Sequence, residues 1–126
     1  MTDSAFVGPG PDAEFQSYLE HGKFMIQRVK ETGRHVFYPR VLDPETGSPN
    51  LEWVEASGLG TVYSTSVVRQ RPPAKDYNVA LIDLAEGPRM MSRVEGVAPD
   101  AVAIGMRVKA KIVQEDGAPL IVFEQA

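Results

Sequence analysis

From Leu51 onward the chain is a succession of short β-prone runs, each cut off by a turn signal. Leu51–Ala56 alternates, with Leu51, Trp53 and Glu55 on one side. Ser57-Gly58-Leu59-Gly60 interrupts it, and Thr61–Val68 resumes with β-formers. After a proline-bearing loop, Gln70–Asp76, the run Val79–Leu84 reads as a strand buried on nearly both faces. Glu86-Gly87-Pro88 turns the chain and Arg89–Val94 returns. Within Val97–Met106, Pro99 and Asp100 start one helical turn and Gly105 ends the segment. Val108–Gln114 alternates again, Asp116-Gly117 is a hairpin turn, and Leu120–Glu124 pairs back. Five strands in the last ~75 residues match the count and size of an OB barrel. A glycine pair inside a long strand is how a small barrel bends its first strand sharply. A small sandwich is the structural alternative.

Ahead of that stretch the pattern differs. Met1–Pro11 is small, polar and Gly/Pro-containing, and reads as a flexible N-terminus. Asp12 is suited to cap a short helix, with Phe15, Tyr18 and Leu19 as one apolar stripe and Gly22 just past its end. So short a helix is marginal alone and must dock. Lys23–Gln27 and Val36–Pro39 read as two short strands joined by a polar linker containing Gly33. Val41–Asn50, with Asp43, Pro44, Gly47, Ser48, Pro49 and Asn50, is a turn cluster that separates this third from the rest. No internal repeat stands out. The expected division is 1–11 flexible, 12–50 helix and hairpin, and 51–126 barrel.

Composition limits the function classes. The chain has 126 residues, room for one domain with a small appendage. Its net charge is −4, against the basic excess that phosphate neutralisation favours in nucleic-acid binders. The densest basic candidate is Arg69, Gln70, Arg71 and Lys75. There is no cysteine, which removes disulfides, thiolate metal sites and a cysteine nucleophile. No apolar run approaches the ~20 residues of a membrane span, and the start does not read as a signal peptide. The expectation is a cytoplasmic protein without a membrane partner. His21 and His35 with Asp43 would make a ligand set only if folding gathered them, and no Gly-x-Ser-x-Gly elbow is present. Gly58-Leu59-Gly60 lacks the following helix of a nucleotide cradle, so a bend is the better reading.

The segments Gln27-Arg28, Tyr38-Pro39-Arg40, Gly47-Ser48 and, above all, Leu51-Glu52-Trp53-Val54-Glu55-Ala56-Ser57-Gly58-Leu59-Gly60-Thr61-Val62-Tyr63-Ser64 resemble the zinc-ribbon/OB-fold family known as domain of unknown function thirty-five. Tyr77–Asp83 leading into Glu86-Gly87-Pro88-Arg89, and Ile104-Gly105-Met106-Arg107-Val108, are similar to it in the same order. The resemblance implies a mainly β chain: a short N-terminal helix, a rubredoxin-like ribbon hairpin and a five-stranded OB-fold barrel. It also implies an accessory subunit rather than an enzyme, one that binds or braces a thiolase-type or related acyl-CoA enzyme and contacts CoA or acyl-CoA.

One departure from the pattern is decisive. The family's two Cys-x-x-Cys pairs would fall at Val29 and Thr32, and at Asp43 and Thr46. Valine cannot ligate zinc and a threonine hydroxyl is a poor ligand. The ribbon is therefore expected to be metal-free, with no cofactor. The folding energy a metal supplies must then come from elsewhere, and Val29, Val36, Phe37, Val41 and Leu42 are the candidates for apolar packing. The resemblance brings Arg28, Tyr38 and Arg40 forward as CoA contacts, arginine being suited to phosphates. Trp53 and Tyr63 flank the glycine bend and are candidates for stacking on an aromatic ligand, or, for Trp53, for packing between ribbon and barrel. Two readings from other classes stay open: an OB-fold single-stranded nucleic-acid binder, and a small acyl-CoA enzyme. No catalytic residue is assigned.

Overall fold

A computed structural model describes residues 10–126. The expected flexible N-terminus lies, for residues 1–9, outside the described residues. The chain divides into two compact units at Glu55/Ala56.

The first unit carries helix α1 (Pro11–Glu20) and the strands β1 (Met25–Val29), β2 (His35–Val36) and β3 (Leu51–Glu55), in the sheet order β2-β1-β3. The helix opens differently from expectation. Gly10 is the N-cap, without a side-chain cap, and Pro11 stands at the first position, where its missing N–H costs nothing. Asp12 and Glu14 lie in the first turn, where the exposed N–H groups favour negative charge. At the other end Gly22 takes φ +76°, and Lys23 N–H bonds to the Tyr18 carbonyl, 2.9 Å. The apolar stripe docks as read. Leu19 is buried, Phe15 meets Phe24 and Phe37 edge-on at 6.3 and 5.4 Å between ring centres, and Tyr18 meets Trp53 at 5.4 Å. The strand Leu51–Glu55, which the sequence reading gives to the barrel, instead pairs antiparallel with β1 from Met25↔Glu55 to Val29↔Leu51. The physical reason is that β2 pairs only with Gln27 and Arg28 on one edge of β1, and β3 supplies backbone partners along the other edge for all five β1 residues.

The second unit holds β4 (Leu59–Val68), β5 (Tyr77–Leu84), β6 (Arg89–Ser92), β7 (Val94–Glu95), β8 (Arg107–Glu115) and β9 (Ala118–Gln125), ordered β6-β5-β4-β8-β9-β7. A single residue, Arg93, separates β6 from β7, so these are two pieces of one strand and the count of five holds. That strand closes the barrel on β9. The Ser92 hydroxyl donates to the Ile121 carbonyl (3.0 Å), Phe123 N–H to the Arg93 carbonyl (3.0 Å), and β7 runs parallel to β9. Val62, Ile82, Val94, Val108, Val122 and Phe123 fill the interior.

Several local expectations are met. Pro99–Ala101 forms the single helical turn, and Asp116 and Gly117 both take positive φ (52° and 80°), as a tight hairpin turn requires. One is corrected. β5 does not bury both faces: its residues alternate from Asn78 to Leu84, with Ala80, Ile82 and Leu84 inward and Leu81 and Asp83 outward. One face of a barrel strand lines the interior and the other does not.

The glycine bend has a definite cause. Gly58 takes φ +82°, its carbonyl accepting the Ala110 N–H at 2.7 Å. At Gly60 a Cβ would lie 2.7 Å from Ile82 Cγ2 and 3.0 Å from the Asp83 carbonyl oxygen. The bulge between Val62 and Ser64 then shifts the register of β4 on β5.

Candidate functional site

The first unit gathers most of the residues singled out above. Arg28 lies mid-β1 directly opposite Glu52 of β3, and its Nε donates to Glu52 Oε2 at 2.7 Å, with a second contact through Nη2. Arg40 is fixed through its backbone. Buried Gln27 donates from Nε2 to the Arg40 carbonyl (2.7 Å) and accepts the Arg40 N–H on Oε1 (2.6 Å), as a neighbouring strand would. The Arg40 side chain is exposed, and Tyr38 is about half exposed with its ring 4.7 Å from that of Phe37. Trp53 lies in the first unit, against Tyr18 at a 58° tilt. Tyr63, in the second unit, has the Arg89 guanidinium 3.4 Å above its ring centre, a cation–π contact. Arg89 is itself held by Asp83, Nε to Oδ1 2.6 Å. One face of the Tyr63 ring is therefore in use.

At the four ribbon positions the residues do not fit a zinc ion. Val29 is a wholly buried hydrocarbon. Asp43, also buried, accepts from the Thr46 hydroxyl (2.6 Å), the Glu45 N–H (3.2 Å) and the Arg34 guanidinium. These partners hold its carboxyl down at about 2, the Thr46 hydroxyl foremost and the Arg34 guanidinium next, against the opposing effect of burial. Arg34 is pushed up in turn by its bond to Asp43. Both oxygens of this carboxylate are thus engaged by protein donors, Oδ1 twice and Oδ2 once. His21 and His35 do not join it: His21 Nδ1 donates to the Ser17 carbonyl at 2.8 Å, and among the described residues no three His, Asp or Glu side chains form a metal-holding group. Of the apolar side chains expected to replace the metal, Val29 and Val36 are buried and Phe37 joins the aromatic cluster, but Val41 and Leu42 are half exposed. The remainder is polar, and composition gave no hint of it.

In the basic loop ahead of β5, Arg69 is paired locally. Asp76 accepts from Arg69 Nη1 (3.0 Å) and from the Gln70 N–H (2.8 Å), which lower its pKa, the Gln70 bond first. Among the residues missed by sequence reading, Asn78 is the barrel's counterpart of Gln27. It is buried, donates from Nδ2 to the Val94 carbonyl (2.7 Å) and accepts the Val94 N–H (2.9 Å). A polar residue inside an otherwise apolar strand was the available signal. No helix of the described residues is long and apolar enough to cross a membrane.

Comparison with known proteins agrees with this architecture. Residues 53–113 match the family model described as ChsH2, C-terminal OB-fold domain. The probable enoyl-CoA hydratase alpha subunit of Thermomonospora curvata is 39% identical over 99 residues, 75% of this chain and 30% of that protein. The chain thus spans less than a third of that relative's length. A DUF35 domain-containing scaffold protein of Pyrococcus furiosus is 34% identical over 96 residues, 69% of this chain and 71% of that protein. A chain of the Ltp2-ChsH2(DUF35) aldolase structure superposes with a TM-score of 0.80 at 30% identity, covering 95% of this chain and 98% of that one. With that coverage at that identity, on a helix, a ribbon sheet and an OB barrel, the chain belongs to the DUF35 family.

Proposed function

We propose that this chain is a non-catalytic accessory module that docks on an acyl-CoA enzyme, of the thiolase, aldolase or hydratase kind, and braces it. The observation that carries the reading is the near end-to-end likeness to a chain of an aldolase made of two named components. The likeness to a hydratase alpha subunit and to a scaffold protein points the same way. The site chemistry is consistent with a positional role. Arg28, Arg34, Arg89 and Arg93 are each engaged by carboxylates of their own unit, an arrangement that fixes a surface.

Within this reading the contact with CoA falls to Arg40 and Tyr38 rather than Arg28. Arg40 has a backbone fixed by Gln27 and an exposed guanidinium, and Tyr38 is exposed beside it in sequence. Arg28 already gives Nε and Nη2 to Glu52, which leaves it fewer donors for a phosphate than Arg40.

Affinity capture of the tagged protein from its own organism, read by mass spectrometry, tests the proposal. A thiolase-like, aldolase or hydratase partner in near-stoichiometric amount is the expected result. Turnover of an acyl-CoA panel by the isolated chain, or capture of no acyl-CoA enzyme, would sink it.

A further inference from the structure

The ribbon contains a repeat that its sequence barely advertises. Val29-Lys30-Glu31-Thr32-Gly33-Arg34 and Asp43-Pro44-Glu45-Thr46-Gly47-Ser48 share only Glu-Thr-Gly at their third to fifth positions. Their backbones nevertheless follow one course. In each, the first residue's N–H bonds to the sixth residue's carbonyl (Val29 to Arg34 and Asp43 to Ser48, both 2.8 Å). The glycine N–H bonds back to the first carbonyl (2.7 and 2.8 Å), and the glycine takes φ +73° or +75°. The threonine hydroxyl accepts the sixth N–H (3.1 and 3.3 Å). In both, the first side chain is buried.

The side chains then cross between the two knuckles, in both directions. The sixth residue of the first, Arg34, reaches the first and third residues of the second, Asp43 and Glu45 (3.5 Å to Glu45). The sixth residue of the second, Ser48, donates to the third residue of the first, Glu31, at 3.0 Å, and Asn50 donates to the other Glu31 oxygen. Thr46 holds the buried Asp43 from within its own knuckle.

We propose that this reciprocal polar brace, with Arg34–Asp43 at its buried centre and Glu31–Ser48 at its rim, closes the ribbon in this chain without any metal ion. The two halves differ in weight. Glu31 is exposed and Ser48 only half-buried, so water competes for their bond. Asp43 is sealed from water, so losing Arg34 leaves a buried carboxylate with only neutral partners.

Amide hydrogen exchange on the full chain tests this. Arg34→Met and Asp43→Asn are each expected to speed exchange at Val29, Lys30 and Asp43 by about 10- to 100-fold, with the amides of β5 and β8 unchanged. The double variant is expected to be no worse than the worse single one, because both remove one interaction. Thr46→Val, nearly isosteric, serves if those variants do not fold, with a loss of about 10-fold at the same amides. Ser48→Ala is expected to have a smaller effect than any of these. A strong chelator added to the parent protein is expected to change nothing. Additive losses in the double variant, unchanged ribbon exchange in all variants, or opening of the parent ribbon by the chelator would each overturn the proposal.

Discussion

Replacing Gly60 by alanine tests the account of the barrel's first strand. Gly60 has an ordinary negative-φ backbone, so the substitution carries no left-handed strain. Taken alone it should stabilise the protein by about 0.4–1 kcal/mol, because alanine has fewer unfolded conformations to lose. The structure predicts the opposite sign. The new Cβ would lie 2.7 Å from Ile82 Cγ2 and 3.0 Å from the Asp83 carbonyl, where carbon pairs prefer roughly 3.5–4.0 Å. Ile82 is fully buried in the barrel and Asp83 O is backbone, so neither can step aside cheaply. Overpacking of this kind costs about 1–3 kcal/mol, which outweighs the entropic gain. At roughly 4–8 °C per kcal/mol for a unit of this size, the barrel should melt several degrees lower. Far-UV circular dichroism reads that loss, while Trp53 emission follows the first unit separately, since the chain has no other tryptophan. A variant that melts with the parent, or above it, would refute the close approach of β4 to β5.

Two further predictions concern buried polar groups. Asn78→Ala should orphan both the N–H and the carbonyl of buried Val94, at about 1–3 kcal/mol for each group. The midpoint of urea unfolding should fall with an unchanged slope, and a shift too small to resolve would show that the clip contributes nothing. The second is an acid transition in the ribbon. Asp43 titrates at about 2 when folded and near its ordinary value of ~3.9 when unfolded, so its contribution is fully present above roughly pH 4 and lost as pH falls through 2. Arg34, Thr46, Glu45 and Glu31 are the groups around it, and Glu31 is also lowered, by Asn50 and then Ser48. Trp53 emission should report loosening in that window, and Asp43→Asn should flatten the response. An identical acid profile in that variant would exclude Asp43 as its origin.

The barrel was legible because its signals are local. Alternation in Val108–Gln114, the Asp116-Gly117 turn, and Pro99 opening a helical turn each depend on residues adjacent in the chain. The apolar stripe of α1 is of the same kind, and it found the core through Leu19, Phe15 and Tyr18. Leu51–Glu55 was a strand from its pattern, but which sheet it joins is a choice between distant partners. That choice is settled by the open edge of β1, where all five of its residues gain a backbone partner from β3.

The ribbon shows the same boundary more sharply. By itself the sequence determined that no thiolate ligand exists, and that Val29 and Asp43 stand where ligands would. It also holds the two Glu-Thr-Gly triplets, too short a match to mean anything by itself. Only the tertiary structure brings the second knuckle over the first, so that Arg34 meets Asp43 across nine positions and Ser48 meets Glu31 across seventeen. A charged pair separated by turns has no sequence signature, because its energy depends on distance and on exclusion of water. Both are properties of the folded chain alone.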